Sequence, residues 1–466
     1  MDYLSPLDAA FLDAEDGDPH ASLAIASIAV ADGPAPSAAA FTAAVRGRLP
    51  LVPRYRQKVR RLPLNLGLPV WVDDPGFDLD FHLRRTALAA PGDDAALGRL
   101  IGRIMSHRLD RERPLWEYWL IEGLPEGRWA VLSKVHHCMV DGMTGNELYR
   151  IMCDPTPEPR PPVPDHWHPS PDGDRAGLTL DALRRLAALP FEQLRWIARG
   201  VRDPAATVRR ARDTWQGVRA LAEAITPGRP TSLSGPLGLP RRYAFARIPF
   251  IEIRSAARRH KVTVNDVYLA AVAGAFRRLM LDRDEEPAAD AIRTLVPVNV
   301  RPDGDTTIAN RIVSLLVQLP VEVADPVERL AVVHRRIAEL RGSHEIETGA
   351  ALLELADHEP FAAVALGVRT ALRLPQRAIV TVTTNVPGPP GQLYLLGHPI
   401  REILPYVPIA ERMRIGVSVL TYGGQAAIGV TADFASVPEA GTFPAGIVAE
   451  IRALTARPTR PTADLV

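Results

Sequence analysis

The sequence predicts a mixed α/β protein whose two halves are joined by a long linker. The chain has 466 residues, more than one hydrophobic core usually supports, so two domains are expected. Short apolar runs of strand length alternate with segments of helical spacing in both halves. Between the halves, eight of the seventeen residues 155–171 are proline, a composition that suits an extended linker and neither a helix nor a central strand.

The first predicted domain, residues 1–154, contains three strands and two helices. Residues 22–30 form a continuous apolar run, and residues 119–121 and 128–135 read as strands separated by a Pro-Glu-Gly turn. Residues 94–109 place apolar side chains on or near one helix face, and residues 143–152 return to helical character.

The middle segment, residues 155–235, continues from the linker into an arginine-rich amphipathic region at about 178–225. Nine arginines and three acidic residues lie between positions 184 and 219, with apolar residues among them. This pattern is typical of an interfacial helix pair at an anionic lipid surface. It is equally typical of helices that pack their apolar side on the protein body, which is the favoured interpretation because most amphipathic helices serve packing.

The third segment, residues 236–466, alternates helices and strands again. Helical spacing predicts helices at residues 251–260, 263–280 and 327–341. Composition rich in β-formers predicts strands at residues 292–298, 312–319, 378–382, 414–420 and 426–432. The two halves therefore share a mixed α/β character.

Composition excludes several classes of protein. The 55 basic and 54 acidic residues give a net charge of +1, so a global basic field is absent and no nucleic-acid partner is expected. Cys138 and Cys153 are the only cysteines, too few for a disulfide framework or a tetrahedral zinc site. No apolar run reaches the length of a membrane-spanning helix and no signal peptide is visible. A cytoplasmic protein is expected, and attachment to a membrane surface stays open.

One segment concentrates residues that carry chemistry: His136-His137-Cys138-Met139-Val140-Asp141-Gly142. It follows a predicted strand and precedes a predicted helix. Because adjacent side chains on a strand point to opposite faces, only one histidine of the pair can readily face a cleft. Asp141 can fix the loop, and Gly142 permits a backbone conformation that other residues avoid.

Three interpretations of this segment compete. A metal site is the least favoured, because adjacent histidines rarely bind one ion with good geometry, and no metal is expected. A purely structural histidine pair is the second. The third is a general base supported by a structural carboxylate, since an unperturbed imidazole titrates near pH 6.5. No Gly-x-Ser-x-Gly elbow accompanies the histidines, so direct deprotonation of an incoming alcohol or amine is the simpler chemistry.

The His-His-x-x-x-Asp-Gly pattern resembles the signature of the CoA-dependent acyltransferase superfamily, which includes chloramphenicol acetyltransferase and the condensation domains of peptide synthetases. Over nearly its full length the chain resembles, more closely, the bacterial wax ester synthase/diacylglycerol acyltransferase family. The further motifs that carry this resemblance, in family order, are Leu4-Ser5-Pro6-Leu7-Asp8-Ala9-Ala10-Phe11-Leu12, Pro69-Val70-Trp71, Phe77-Asp78-Leu79 with His82, Arg113-Pro114-Leu115-Trp116-Glu117, Gly235-Pro236-Leu237-Gly238 with Arg241-Arg242, Val264-Asn265-Asp266-Val267, Val298-Asn299-Val300-Arg301-Pro302 and Asn385-Val386-Pro387-Gly388-Pro389.

The resemblance implies two chloramphenicol-acetyltransferase-like domains with an active-site channel between them. It implies an O-acyltransferase that moves a long-chain acyl group from acyl-CoA to diacylglycerol or a fatty alcohol, as in triacylglycerol and wax ester synthesis, with His137 as general base. Acyl-CoA is then a substrate, the partner is a hydroxyl acceptor lipid, and no cofactor is expected. A peripheral location at the inner membrane or at lipid droplets stays open.

Two other functions remain to be weighed. The chain departs from the family at Pro19-His20-Ala21-Ser22-Leu23, where Pro-Met-His-Val-Gly is often found. If this segment lines a substrate channel, the substrate range differs, and an acyltransferase or condensation-type enzyme that acylates a specialised metabolite is the alternative. A catalytically silent lipid-droplet binding protein is the other, and the intact histidine motif argues against it.

The resemblance also suggests supporting roles. Asp141 is expected to be structural, with Arg301 as its candidate partner, and His136 is expected to pack or hydrogen-bond behind the loop. For Pro114, Leu115 and Trp116, a buried tryptophan that fixes the approach to the active-site strand is favoured over a wall of the acyl channel.

Two further motifs leave their roles open. Asn265 and Asp266 resemble a helix N-cap, with a role at the channel equally open. Asn385 lies in a segment whose prolines predict a loop and a crossover between the domains. Asn385 and Asn265 are the candidate oxyanion donors.

Overall fold

A computed structural model describes residues 2–62, 68–139, 145–170, 229–299, 312–342, 379–410 and 412–456. Two six-stranded mixed sheets and one three-stranded sheet form its framework. The strands are β1 (Asp2–Tyr3), β2 (Ala24–Ala31), β3 (Gln57–Arg60), β4 (Val70–Asp73), β5 (Leu83–Ala87), β6 (Trp116–Glu122), β7 (Trp129–His136), β8 (Arg241–Pro249), β9 (Arg293–Asn299), β10 (Ile312–Gln318), β11 (Thr381–Pro387), β12 (Tyr394–Leu395), β13 (His398–Tyr406), β14 (Ile415–Tyr422) and β15 (Gln425–Asp433). The helices are α1 (Pro6–Gly17), α2 (Ala38–Arg46), α3 (Leu79–His82), α4 (Asp94–Ser106), α5 (Gly145–Met152), α6 (Phe250–His260), α7 (Val264–Asp282), α8 (Pro326–Gly342) and α9 (Phe443–Ala456).

The first large sheet combines strands from both ends of the chain. Its order is β12-β13-β2-β7-β6-β5, so two strands from the C-terminal half extend a sheet of four strands from the N-terminal half. Strand β7 lies between β2 and β6, both antiparallel to it, with Ala24 opposite His136. Strand β13 pairs with β2 on the far side. The domain boundaries at residues 154 and 235 remain predictions. Two strands of the first sheet nevertheless come from the third predicted segment, residues 236–466.

The second large sheet has the order β10-β9-β11-β14-β15-β8. Helix α7 is buried over 13 of its 19 residues, and it packs with α6, α8 and α9 in one continuous apolar core with the sheet. Because the sheet and four helices share this core, the C-terminal half has the mixed α/β character that its sequence predicts.

The segment after β11 is the crossover between the sheets. Strand β11 pairs with β9 and β14 in the second sheet, whereas the next two strands belong to the first sheet, which confirms the predicted crossover. The prediction of a loop is wrong for Asn385 to Pro387, because β11 continues to Pro387, and right for Gly388 and Pro389, which follow the strand. Proline is tolerated at this strand end, since the ladder needs no N–H from it there.

The two halves meet where helix α4 lies on strand β8. Gly98 and Gly102 face backbone carbonyl oxygens of Tyr243 and Arg241, with no room between them for a side chain. The Ser106 hydroxyl accepts a hydrogen bond from the Arg241 N–H at 2.8 Å. Helix α4 of the first half therefore covers β8, the edge strand of the second sheet, with the two backbones in direct contact.

The proline-rich linker is docked on the first half through residue 170. Buried Arg48 donates to Asp154 at 2.9 Å and to two carbonyl oxygens of the linker. Arg56 pairs with Asp165 further along. Residues 155–170 of the linker therefore lie outside any helix or strand and are held by arginines of the first half. The arginine-rich region at 178–225 lies outside the described residues.

Most predicted elements are confirmed to within a few residues. Strand β7 was expected at 128–135, helix α4 at 94–109 and helix α7 at 263–280, close to their observed bounds. Sequence patterns missed the helices α1, α2, α3 and α9 and the strands β1, β3, β4, β5, β8, β12 and β13. Within the described residues, no helix combines the length and apolar character needed to cross a membrane.

Candidate functional site

The histidine pair lies where strand β7 ends. His136 is the last residue of the strand, and His137 begins a short 3-10 turn, His137–Met139. The His136 N–H donates to the Leu115 carbonyl at 2.9 Å, and the His137 N–H donates to the Leu23 carbonyl at 3.1 Å. The chain segments that lead into β6 and β2 therefore hold the backbone of both histidines, one on each side.

His136 points into the protein and is 1% exposed. Its Nδ1 accepts a hydrogen bond from the Cys138 N–H at 3.2 Å, and the Cys138 Sγ lies 3.0 Å from the same nitrogen. Its Nε2 lies 3.5 Å from Glu15 Oε2. Burial lowers the pKa of His136, against the opposing attraction of Glu15. Both ring nitrogens are thus directed at protein groups.

His137 is partly exposed. Its ring lies on that of Phe11 from helix α1, with the centroids 4.1 Å apart. Burial lowers the pKa of His137 to about 4, and the neighbouring His136 acts in the same direction. At neutral pH His137 is therefore an uncharged imidazole, the form that can accept a proton.

Glu15 is a site residue that sequence reasoning missed. It lies on helix α1, is 1% exposed, and pairs with Arg111. Its Oε1 accepts the Leu23 N–H at 2.9 Å. Burial alone would raise the pKa of Glu15, but His136 and Arg111 stabilise the carboxylate and lower its pKa to about 2. The four-residue spacing from Phe11, which puts both side chains on one helix face, is the signal that could have found it.

The Pro-Leu-Trp motif is buried beside the histidines. Pro114, Leu115 and Trp116 are all buried, and Leu115 supplies the carbonyl that holds His136. The Trp116 ring stacks between Tyr55 and His82, and its Nε1–H donates to the Tyr55 carbonyl at 2.8 Å. These contacts favour the interpretation in which the tryptophan fixes the approach to the active-site strand.

The Asn-Asp motif lies in the second half, at the start of helix α7. The residue that caps this helix is Thr263, not Asn265 or Asp266. Asp266 stands three residues after the cap, where its carboxylate accepts the Thr263 N–H at 3.0 Å and completes a capping box. It also lies 2.8 Å from His334 Nδ1. The predicted cap was wrong by two or three positions, because aspartate favours both the cap and the third helical position.

The remaining predicted residues are placed only in part. Asp141, Gly142 and Arg301 lie outside the described residues. Asn385 is half-buried in β11, two residues before Pro387, whose carbonyl accepts from the Asn146 side chain at 3.0 Å. This contact brings the end of β11 against the helix that follows the histidine motif. Within the described ranges, no cluster of three His, Cys, Asp or Glu side chains is arranged to hold a metal ion.

Comparisons with known proteins agree on one family. Residues 4–268 match the model of the wax ester synthase/diacylglycerol acyltransferase catalytic domain, and residues 308–455 match that of the C-terminal domain of the same family. The proteins named "Probable diacyglycerol O-acyltransferase tgs1" in Mycobacterium tuberculosis strains H37Rv and CDC 1551 are 38% identical to this chain, over 98% of its length and 96% of theirs.

Solved structures show the same fold. The wax ester synthase/diacylglycerol acyltransferase from Marinobacter aquaeolei VT8 superposes with a TM-score of 0.68 at 24% identity, covering 97% of this chain and 99% of that one. A starter condensation domain of rhizomide synthetase superposes with a TM-score of 0.57 at 18% identity, covering 100% and 97%. The expected mixed α/β fold of two acyltransferase-like halves is thereby confirmed.

Proposed function

The chain belongs to the wax ester synthase/diacylglycerol acyltransferase family of O-acyltransferases, and we propose that it transfers a long-chain acyl group from acyl-CoA to the free hydroxyl of diacylglycerol. The relatives at 38% identity over almost the whole chain carry that activity in their names, which favours diacylglycerol over a fatty alcohol as the principal acceptor. The alcohol remains the second acceptor to test, since the family name includes both activities.

In the proposed reaction His137 is the general base. Its neutral ring takes the proton from the acceptor hydroxyl while the hydroxyl oxygen bonds to the thioester carbonyl carbon. The resulting tetrahedral oxyanion collapses, the C–S bond breaks, and the protonated His137 returns the proton to the departing CoA sulfur. The products are an ester and free CoA. This chemistry needs only acyl transfer and proton transfer, with no change of oxidation state, so we propose that no cofactor or metal takes part.

One observation carries the choice of His137 over its neighbour. Both ring nitrogens of His136 face protein groups, Cys138 on one side and Glu15 on the other, and the ring is buried. His137 is partly exposed, and its ring lies against that of Phe11. Of the pair, His137 is the histidine that an acceptor can reach.

The supporting motifs have proposed roles of their own. We propose that Asp141 and Gly142 shape the loop after the turn, with Arg301 as the partner of Asp141. Asn265 and Asn385 remain the candidate oxyanion donors. Peripheral attachment to the inner membrane or to lipid droplets, through the arginine-rich region, is a further proposal that rests on the sequence pattern alone.

The test is the release of free thiol from palmitoyl-CoA by the purified protein, with dipalmitoylglycerol, hexadecanol or no acceptor. We expect release that depends on dipalmitoylglycerol and disappears in His137→Ala. The matched control is His168→Ala, at an exposed position of the linker, which should retain full activity.

Each other outcome has a definite meaning. Release that depends on hexadecanol alone would make the protein a wax ester synthase. The absence of turnover with either lipid in a folded sample would favour acylation of a specialised metabolite. Equal turnover by the wild type and His137→Ala would refute the proposed base.

A further inference from the structure

Three buried groups stand directly behind the turn that carries His137, and the proposed reaction uses none of them. They are the carboxylate of Glu15, the imidazole of His136 and the N–H and thiol of Cys138. A buried charge is costly unless it is paired and hydrogen-bonded. A buried carboxylate at this turn is therefore expected to have a specific structural or functional role.

The hydrogen bonds determine which nitrogen of His136 carries its proton. A neutral imidazole has one N–H and one lone pair. The Cys138 N–H is an obligatory donor and points at Nδ1, so Nδ1 must be the acceptor. Burial raises the pKa of the Cys138 thiol, so the sulfur keeps its proton and is not a thiolate that would draw a proton to Nδ1. The proton of His136 must then lie on Nε2, where it faces Glu15 Oε2.

Glu15 reaches the turn by a second route as well. Its Oε1 accepts the N–H of Leu23, and the carbonyl of the same Leu23 accepts the N–H of His137. One carboxylate thus lies behind both histidines, through the ring of His136 and through the backbone of Leu23. Arg111 pairs with the carboxylate and neutralises its charge.

We propose that Glu15 is a positioning residue for the reaction, which holds His136 as its Nε2–H tautomer and thereby fixes the turn that presents His137. The inference rests on the proposed function of His137 as the base. Glu15 does not touch the substrate in this account; it sets the orientation of the group that does. Such support matters because a reacting group that is misplaced by about 1 Å can lose about 100-fold in rate.

The decisive variant is Glu15→Gln, which keeps the size of the side chain. The amide oxygen can still accept the Leu23 N–H, but the amide nitrogen then presents N–H groups to the Nε2–H of His136. This conflict between two donors is relieved only if the His136 proton moves to Nδ1, where it would face the Cys138 N–H. We expect kcat to fall about 100-fold, while the KM for palmitoyl-CoA changes less than about twofold.

A spectroscopic measurement separates positioning from a general loss of packing. Long-range nitrogen–proton correlation spectra of histidine-labelled protein distinguish the two neutral tautomers, and the His136 signals are assigned by their loss in His136→Asn. We expect the Nε2–H form in the wild type and a shift toward Nδ1–H in Glu15→Gln. The matched control is Asp16→Asn, the next residue on the same helix, half-exposed and 3.5 Å from Arg111. It should retain both the tautomer and kcat.

The outcomes distinguish this proposal from the proposed function. An Nδ1–H tautomer in the wild type overturns the role of Glu15 even if every variant fails to fold. A folded Glu15→Gln variant with wild-type kcat does the same, while leaving the base intact if His137→Ala is inactive. Wild-type turnover in His137→Ala would instead refute the base, whatever the tautomer of His136.

Discussion

Replacement of Gly102 by alanine tests whether the contact between the two halves supports the histidine turn. Gly102 lies in helix α4, where it faces strand β8. A Cβ at this position would lie 2.6 Å from the Arg241 carbonyl oxygen. The atom that the new Cβ would meet belongs to the backbone of β8, so no flexible side chain can move aside to make room. To reach an ordinary contact of 3.4 Å, the helix and the strand must separate by roughly 0.8 Å in a closely packed interface.

Two effects of opposite sign set the magnitude. Alanine in a helix interior is favoured over glycine by about 1 kcal/mol. Overpacking a tight contact costs about 1–3 kcal/mol, and the backbone obstacle places Gly102→Ala toward the upper end. We therefore expect a net destabilisation of about 1–2 kcal/mol.

The displacement of helix α4 from strand β8 should also affect the turn that carries His136 and His137. The last turn of α4 supplies the Ile104 carbonyl that accepts a hydrogen bond from buried Lys134 at 3.0 Å, and the His107 carbonyl just beyond accepts another at 2.6 Å. Lys134 lies on β7, two residues before His136. A shift of α4 therefore pulls on the strand that ends in the histidine pair, and a reduced rate of thiol release is expected together with the lower stability.

The assay is urea unfolding, combined with thiol release from palmitoyl-CoA in the presence of dipalmitoylglycerol. The control is Gly446→Ala in helix α9, where the nearest atom to a new Cβ is 4.0 Å away. The control gains helix propensity without a clash and should unfold at an equal or higher urea concentration than the wild type. If Gly102→Ala unfolds at the same urea concentration as Gly446→Ala, the reasoning about the interface is wrong.

Three further predictions concern the site and the second half. Because the pKa of His137 is lowered to about 4, kcat/KM should stay level as the pH falls below 6.5 and decline only near pH 4; an acidic limb centred at 6.5 would show that the surroundings of His137 do not lower its pKa. Trp116→Phe removes the donor to the Tyr55 carbonyl and leaves that oxygen unpaired in the core, so the free energy of unfolding in urea should fall by about 1–3 kcal/mol. An unchanged urea midpoint would refute a stabilising role for this hydrogen bond. Asp266→Ala breaks the capping box with Thr263 and should cost about 1 kcal/mol without changing the KM for palmitoyl-CoA, whereas a large rise in KM would place Asp266 at the channel.

Local pattern was sufficient for about half of the described helices and strands. Strand β7 and helix α7 are long and strongly patterned, so their sequences predict them within two residues. The pairing of β13 with β2 could not be predicted, because it joins residues from opposite ends of the chain and neither strand's pattern encodes its partner. The end of β11 was mistaken for a loop because Asn385 and Pro387 are typical turn residues, while the sheet tolerates proline at a strand end.

The candidate site was predictable where a motif marked it and not elsewhere. His136 and His137 are adjacent at a strand end, so the alternation of side chains predicts one buried and one accessible ring, as observed. Glu15 escaped notice because it stands among acidic neighbours on a helix, a pattern typical of a solvated face. Its burial depends on tertiary contacts with Arg111 and His136, and the spacing from Phe11 places Glu15 on a helix face without indicating that these residues cover it.

The low pKa of His137 imposes a condition on the proposed reaction. An imidazole with a pKa of about 4 is neutral at physiological pH but is a weak base, and a weak base gives little driving force for removing a proton from an alcohol. Complete deprotonation before attack is therefore unfavourable. Transfer must accompany the formation of the C–O bond, because the oxyanion that develops then stabilises the imidazolium beside it. The burial that weakens the free base thus strengthens its attraction to the oxyanion, which makes the rigid support behind His137 part of the chemistry.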